Sequence, residues 1–277
     1  MADKNVYVVT GGAGGIGLAA AKQFSDGIVM ISDVNPAALA IAKENLEEAG
    51  IEVVTKVCDI SDRAQVREMA NEAAALGQVK GVVHSAGVSG DCGSIKLVLR
   101  VDLLGAYYII EEFLEVMAEN SSMVLVSSMM ADTIPPNPTL DALLVSPDME
   151  DIEERFPGYC HDDPHYAYDV AKRGVRLMAK KYAAAYGKKG ARINSVSPGV
   201  IMTEMALKAA EEHPEQMKFM ESVAPLGRNG RPEEIADVIY YLCSDKSSFI
   251  TGIDIKADGG AMNAVIEFKK KQAVANG

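Results

Sequence analysis

The stretch that most constrains this chain is "NVYVVTGGAGGIGLAAAKQF", residues 5–24. A short apolar run of strand character meets a glycine-rich turn, which opens directly into an alanine-rich helical segment. Gly11, Gly15 and Gly17 fall where the chain must turn tightly and bring its backbone close to a neighbour, demands that a residue without Cβ meets most readily. The start of such a helix presents free N–H groups and the positive end of the helix dipole to an anion. The pattern reads as a dinucleotide fingerprint only in its context, after a strand and before a helix, and that context is present. A purely structural turn is the alternative.

The alternation continues along the chain. "GIVMISD" (27–33), "IEVVTKVCD" (51–59), "VKGVVHSAG" (79–87), "SMVLVSS" (122–128), "GARINSVSPG" (190–199) and "ITGIDIKADGG" (250–260) read as strands. Between them, "PAALAIAKENLEEAG" (36–50), "RAQVREMANEAAAL" (63–76), "VDLLGAYYIIEEFLEVMAEN" (101–120) and the run from Tyr168 to Gly187 read as helices. Strands separated by helices predict an α/β fold: one Rossmann-type, doubly wound, mostly parallel seven-stranded sheet with helices on both faces. A single catalytic domain is expected over residues 1–261, with 262–277 as a tail. One region breaks the rhythm. Residues 131–164, rich in proline and acids, are long for a βα link and read as an insertion beside a site, as a lid, an interface or a surface excursion. "MEDIEERF" within it suggests a short helix.

Composition narrows the function. The net charge is −12 and no basic patch is evident, which argues against nucleic acid as a partner. No apolar run reaches the length of a membrane span, and the first strand starts at residue 5, leaving no room for a secretory signal. A cytoplasmic location is therefore expected. Cys58, Cys92, Cys160 and Cys243 are widely spaced, and His161, His165 and His213 show no ligand spacing, so no metal site and no disulfide framework are expected.

Two acids stand at strand ends. Asp33, 16 residues beyond Gly17, is placed to accept from both hydroxyls of an adenosine ribose. It would repel a 2′-phosphate, and Gly14 supplies no countercharge, so NAD is the expected cofactor. Asp59 reads either as an acceptor for an adenine amino group or as the cap of the next helix. In "YDVAK", Tyr168 and Lys172 are four residues apart and share a helix face, whereas Tyr166 points elsewhere or precedes the helix. An adjacent ammonium favours the phenolate and is expected to lower the Tyr168 pKa toward a value useful for proton exchange.

Taken together, "TGGAGGIG", "CDIS", "HSAG", "VDLLG", "LVSS", "YDVAK", "SPGVIMTEM" and "ADGG" resemble, in order and spacing, the short-chain dehydrogenase/reductase family over about residues 4–260. The resemblance implies that Gly11, Gly15, Ile16, Gly17, Asp33, Asp59 and Ile60 line NAD. It places Ser85, Ala86 and Gly87 along the adenosine-side ribose, and Val200 and Thr203 at the nicotinamide carboxamide. It implies Ser128 as hydrogen-bond partner of the substrate oxygen, Tyr168 as the proton-exchanging group and Lys172 as holder of the nicotinamide ribose, with hydride moving between substrate carbon and nicotinamide C4. Asp102 stands where the family commonly has an asparagine that holds a water connected to the lysine. An ionised aspartate accepts but cannot donate, and it is expected to raise the Lys172 pKa. His84 replaces the first asparagine of the usual "NNAG" and is read as a structural hydrogen-bonder.

The segment 200–222 follows the sixth strand, where the family has its substrate-binding helices. Met202, Met205, Met217, Met220, Leu207 and Phe219, with Met129 and Met130 after the catalytic serine, suit a bulky apolar ligand as readily as simple packing. The leading expectation is an NAD-dependent dehydrogenase of a secondary alcohol such as a hydroxysteroid or bile acid. A small ketone or polyol is the alternative, and a non-catalytic dinucleotide-binding regulator is an alternative of another class. A homodimer or homotetramer is expected, through the helices after the fourth and fifth strands or through "YYLCSDKSSFITG" and "MNAVIEF".

Overall fold

The computed structural model describes residues 4–203, 206–207, 211 and 214–275. Strands β1 (Asn5–Thr10), β2 (Gly27–Asp33), β3 (Glu52–Val57), β4 (Gln78–His84), β5 (Met117–Val126), β6 (Arg192–Pro198) and β7 (Asp254–Ala257) form one sheet of order β3-β2-β1-β4-β5-β6-β7. Every neighbouring pair is parallel. The expected fold class is thus observed. Val6, Val8 and Val9 are all fully buried, because a strand covered on both faces has no polar side to alternate with.

Helices α1 (Gly15–Ala21) and α2 (Pro36–Glu48) cover one face, together with α9 (Pro232–Cys243). The other face carries α3 (Arg63–Leu76), the pair α4 (Ile95–Val98) and α5 (Ala106–Leu114), α6 (Pro138–Leu144) and the long α7 (Pro164–Lys188). Helix α8 (Pro214–Val223) and α10 (Ala261–Ala275) lie against each other beyond β6 and β7. Local signals set several starts. The Asn35 side chain accepts from the N–H groups of Ala37 and Ala38, and Pro36 occupies the first turn, where its missing N–H costs nothing. Asp163 and Pro164 repeat the device at α7.

Four boundaries differ from the sequence expectation. The helix expected over 101–120 starts earlier, at Ile95, is π-wound from Leu99 to Gly105, and ends at Leu114. Strand β5 accordingly begins at Met117, and a register shift against β4 between Val79 and Gly81 absorbs the extra residues. Helix α7 begins at Pro164, so Tyr166 lies inside it, with its ring edge-on to His161 rather than toward Tyr168. The residues after 261 are helical, and Met262 is buried.

The segment 131–164 is packed, not loose. Leu140, Leu144, Ile152, Phe156 and Cys160 all belong to the core on the α7 side of the sheet. Arg173 on α7 forks onto the Asp141 carboxylate with two bonds of 2.7 Å, and Thr133 donates to Asp169 at 2.7 Å. "MEDIEERF" contributes a π-wound turn, Asp151–Arg155, and α6 is a helix that the prolines of "IPPNP" concealed.

Candidate active site

Parallel strands of order 3-2-1-4 reverse their winding direction between β1 and β4, and the loops leaving the carboxyl ends of these strands part there. Two adjoining hollows open at this point. One, of ≈ 310 Å³, is bordered by Gly11, Asp33, Asp59, Ile60 and Ala86. The other, of ≈ 490 Å³, is bordered by Ile16, Ser128, Tyr168, Lys172, Val200 and Thr203. Asp33, Ser85, Gly87 and Val88 border both, so the hollows form one continuous cleft.

The glycine turn forms the floor near β1. Gly11 has φ +65°, and a Cβ there would sit 2.7 Å from the Ala86 nitrogen. A Cβ on Gly17 would sit 2.2 Å from the Gly11 carbonyl oxygen, so this glycine lets the helix press against the turn. Gly17 does not border the cleft; it shapes the part that does. Gly14 faces open space, leaving room for a pyrophosphate over the start of α1.

At the end of β2, Asp33 accepts from the Asn35 N–H at 3.0 Å through Oδ1. Among the described residues no lysine, arginine or histidine borders this end of the cleft, and Asp59 adds a second carboxylate. Asp59 accepts from the Ser61 N–H at 2.9 Å. The cap of α3 is instead Asp62, which accepts from Ala64 and Gln65. Of the two readings for Asp59, capping is therefore the wrong one.

At the other end, α7 presents Tyr168 and Lys172 to the cleft, one turn apart. The Lys172 ammonium lies 5.3 Å from the centre of the Tyr168 ring and donates to the Val126 carbonyl at 3.3 Å. Ser128, two residues past the end of β5, accepts from the Met130 N–H at 3.2 Å and borders the cleft together with Tyr168. Asp102, only 1% exposed, pairs with Lys172 at 3.2 Å and accepts from the Val88 N–H at 2.8 Å.

The electrostatics correct one expectation. Lys172 pulls the Tyr168 phenol down as expected, but the net direction is up. Burial is the larger influence; Lys172 and the neighbouring Ser128 hydroxyl pull the pKa down, and Asp102 and Asp169 push it back up. Lys172 behaves as expected: burial disfavours its ammonium, yet Asp102 and Tyr168 more than compensate, and its pKa is raised. Asp102 is itself raised by burial against the pull of Lys172. His84 shares a hydrogen bond of 2.8 Å with the Thr10 hydroxyl. Burial, then Lys172, press its pKa down to about 3, so it stays neutral and ties β4 to β1.

Several partners have no sequence signal. The Val88 N–H is a backbone group of an ordinary residue. Ser127, beside the expected serine, donates to the Lys172 carbonyl at 2.8 Å and steadies α7. Ser89 and Asp91 border the mouth of the cleft. Met205 and His213, singled out in the sequence, lie outside the described residues, as does the side chain of Met217.

A switch-point cleft floored by a glycine turn, with a serine, a tyrosine and a lysine at one end, defines an NAD(P)-dependent oxidoreductase of alcohols and ketones. Comparisons with known proteins agree. The profile of the family described as short chain dehydrogenase matches residues 5–138, and that described as Enoyl-(Acyl carrier protein) reductase matches residues 160–262, leaving 139–159 between them. A short-chain dehydrogenase/reductase of Alternaria brassicicola is 32% identical over 91% of this chain and 93% of its own. The sorbose reductase of Candida albicans is 30% identical over 92% of this chain and 86% of its own. The crystal structure of levodione reductase superposes with a TM-score of 0.77 at 26% identity, covering 95% of this chain and 100% of that one. The chain belongs to the short-chain dehydrogenase/reductase family. Among the described residues no helix is long and apolar enough to cross a membrane, and no cluster of potential metal ligands occurs.

Proposed function

We propose that this protein interconverts a small ketone and its secondary alcohol, or a polyol, using NAD(H). The observation that carries this reading is the meeting of Ser128, Tyr168 and Lys172 on one wall of a cleft whose far end is bordered by Asp33 and Asp59 and, among the described residues, by no cation. When bound, NAD supplies or accepts the hydride. The chain's own residues bind, orient and move the proton. Ser128 hydrogen-bonds the substrate oxygen. Tyr168 gives its hydroxyl proton to the nascent alkoxide during reduction and takes it back during oxidation. Lys172 holds the hydroxyls of the nearer ribose and stabilises the phenolate. Asp33 would accept from the adenosine ribose, Asp59 and Ile60 would hold the adenine, and Val200 and Thr203 would meet the carboxamide. Two carboxylates without a cation disfavour a 2′-phosphate, which supports NAD over NADP.

The choice of a small polar substrate over a bulky apolar one rests on two observations. Relatives with these elements are named for the reduction of sorbose and of levodione. Met129 and Met262 are buried in a small cluster with Ala224 and Ala261, against which Met130 and Met220 pack. Their apolar character therefore has a packing explanation that needs no steroid. Self-association is supported by Phe249, which is fully exposed, and by the exposed Tyr240 and Tyr241 nearby in sequence.

Turnover of polyols, small ketones and hydroxysteroids, measured with NAD(H) and NADP(H), tests the reading. Polyols or small ketones are expected to react fastest, and Tyr168→Phe to lose about 10²–10⁴-fold in rate. Faster turnover of a hydroxysteroid than of every small substrate overturns the substrate choice. Full turnover in Tyr168→Phe removes the phenol from the mechanism, and no turnover of any alcohol or ketone by the wild type, with NAD still bound, makes the protein a dinucleotide-binding regulator instead.

A further inference from the structure

The π-wound turn Leu99–Gly105 interrupts the helix that starts at Ile95. Such wider turns inside helices frequently occur at functional sites, and this one carries Asp102. The carboxylate is nearly inaccessible to water. Oδ1 is satisfied by the Val88 N–H at 2.8 Å. Oδ2 has no well-aligned hydrogen bond; its neighbour is the Lys172 ammonium at 3.2 Å. Gly87 keeps the space around this pair narrow: a Cβ there would stand 3.1 Å from Oδ2 and 3.3 Å from the ammonium. The same ammonium lies beside the Tyr168 ring. One buried positive charge is therefore shared between a carboxylate and a phenol. A cation in contact with a carboxylate acts on a third group as a dipole, whose field falls off faster than that of a free charge. An asparagine at position 102, the residue the family resemblance leads one to expect, would leave the lysine charge undivided.

We propose that Asp102 is a positioning residue that, by pairing with Lys172, withholds part of the ammonium's charge from the Tyr168 hydroxyl, so that Tyr168 stays protonated in neutral solution and alcohol oxidation rises only at alkaline pH. This rests on the reading of Tyr168 as the proton-exchanging group. The other groups facing the site do not supply the effect. His84, at the end of β4, is neutral and bonded to Thr10. Ser128, after β5, favours the phenolate and so opposes it. Asp169, next on α7, acts in the same sense as Asp102 but follows it among the influences on Tyr168, and it accepts from Thr133. Asp91, at the cleft mouth, faces His165 at 3.7 Å. The raised pKa values of Tyr168 and Lys172 have the sign this pairing requires.

The test reads the phenol directly and needs no substrate. Ultraviolet difference titration of the intact protein, wild type minus Tyr168→Phe, isolates the ionisation of this tyrosine. Repeating it on Asp102→Asn, with and without Tyr168→Phe, is expected to move the midpoint down by about one pH unit, with or without NAD bound. Asp102→Glu, which keeps the charge, should restore the wild-type midpoint. With a substrate in hand, the alkaline limb of the oxidation rate should move by the same amount in Asp102→Asn, and the plateau rates should converge. An unchanged midpoint in Asp102→Asn overturns the proposal, as does a rate loss equal at every pH. If the position-102 variants do not fold, Lys172→Met decides: with the ammonium's charge already offset by Asp102 the Tyr168 midpoint should rise by less than about one pH unit, and a larger rise overturns the pairing. Failure of every alcohol to turn over would count against the proposed function but would leave the titration result standing.

Discussion

Exchanging Asp33 for serine separates charge from shape at the end of the cleft proposed to take the adenosine. Asp33 Oδ1 accepts from the Asn35 N–H at 3.0 Å, in the turn that launches α2. A serine hydroxyl can take over that turn bond, so the variant should fold. What it loses is the carboxylate. A hydrogen bond to a charged group contributes about 1.5–3 kcal/mol. Removing it should weaken NADH binding roughly 10- to 150-fold. For NADPH the sign reverses. A 2′-phosphate about 4 Å from a carboxylate is repelled by roughly 4 kcal/mol per charge pair at a surface-like dielectric of about 20. Salt and exposure reduce this to about 1–2 kcal/mol, so NADPH should bind roughly tenfold tighter in the variant. The NADH-to-NADPH preference should thus fall by about two orders of magnitude. Fluorescence titration of each reduced cofactor measures it without a substrate, and the NADPH gain should shrink as salt is added. A preference that changes less than tenfold, or a wild type that favours NADPH, would refute the assignment of Asp33 to the ribose.

Three further outcomes are expected. Gly17→Ala, whose Cβ would meet the Gly11 carbonyl at 2.2 Å, should lower Tm and abolish NADH binding, whereas Gly14→Ala, with nothing within 4 Å, should change neither by much; thermal melts and fluorescence titration check both. Leu144→Ala should cost about 2–5 kcal/mol in urea unfolding, because Leu144 is fully buried against Gly174; a loss under about 0.5 kcal/mol would mean that segment 131–164 is not part of the core. His84 is held down to about 3 from an ordinary 6.5, so the unfolded chain binds the extra proton between those values. Its contribution is fully present above pH 6.5 and is lost as pH falls toward 3, by up to about 1.4 kcal/mol per pH unit. His84→Gln should flatten that part of the stability profile in urea unfolding at a series of pH values.

Much of the site was legible because its parts are local. Tyr168 and Lys172 meet through helix spacing alone, and Asp33 is placed by ending a strand. The glycine turn announces itself through residues that little else requires at that spacing. Where the sequence misled, the missing information was an environment. The pKa of Tyr168 looked like a matter between a phenol and an ammonium. It is set as well by burial and by Asp102, which lies 66 residues earlier in the chain. For the methionines after Ser128 the sequence left ligand surface and packing equally open, and packing with Met262 and Met220 is what the fold supplies. Segment 131–164 read as a lid, an interface or a surface excursion because its prolines and acids hide α6, and because the partners of Asp141 and Leu144 sit on α7.

By itself the sequence determined the order of strands and helices, the parallel sheet and the identity of the groups that can carry a proton or face a dinucleotide, since each follows from periodicity, glycine placement or a spacing of four. Tertiary structure alone decided which polar groups meet: Asp102 against Lys172, His84 against Thr10, and one end of the cleft with two carboxylates and, among the described residues, no cation. Local sterics act over a few residues and can be read along the chain. Electrostatic free energies depend on desolvation and on neighbours brought in from elsewhere, and these exist only once the chain has folded.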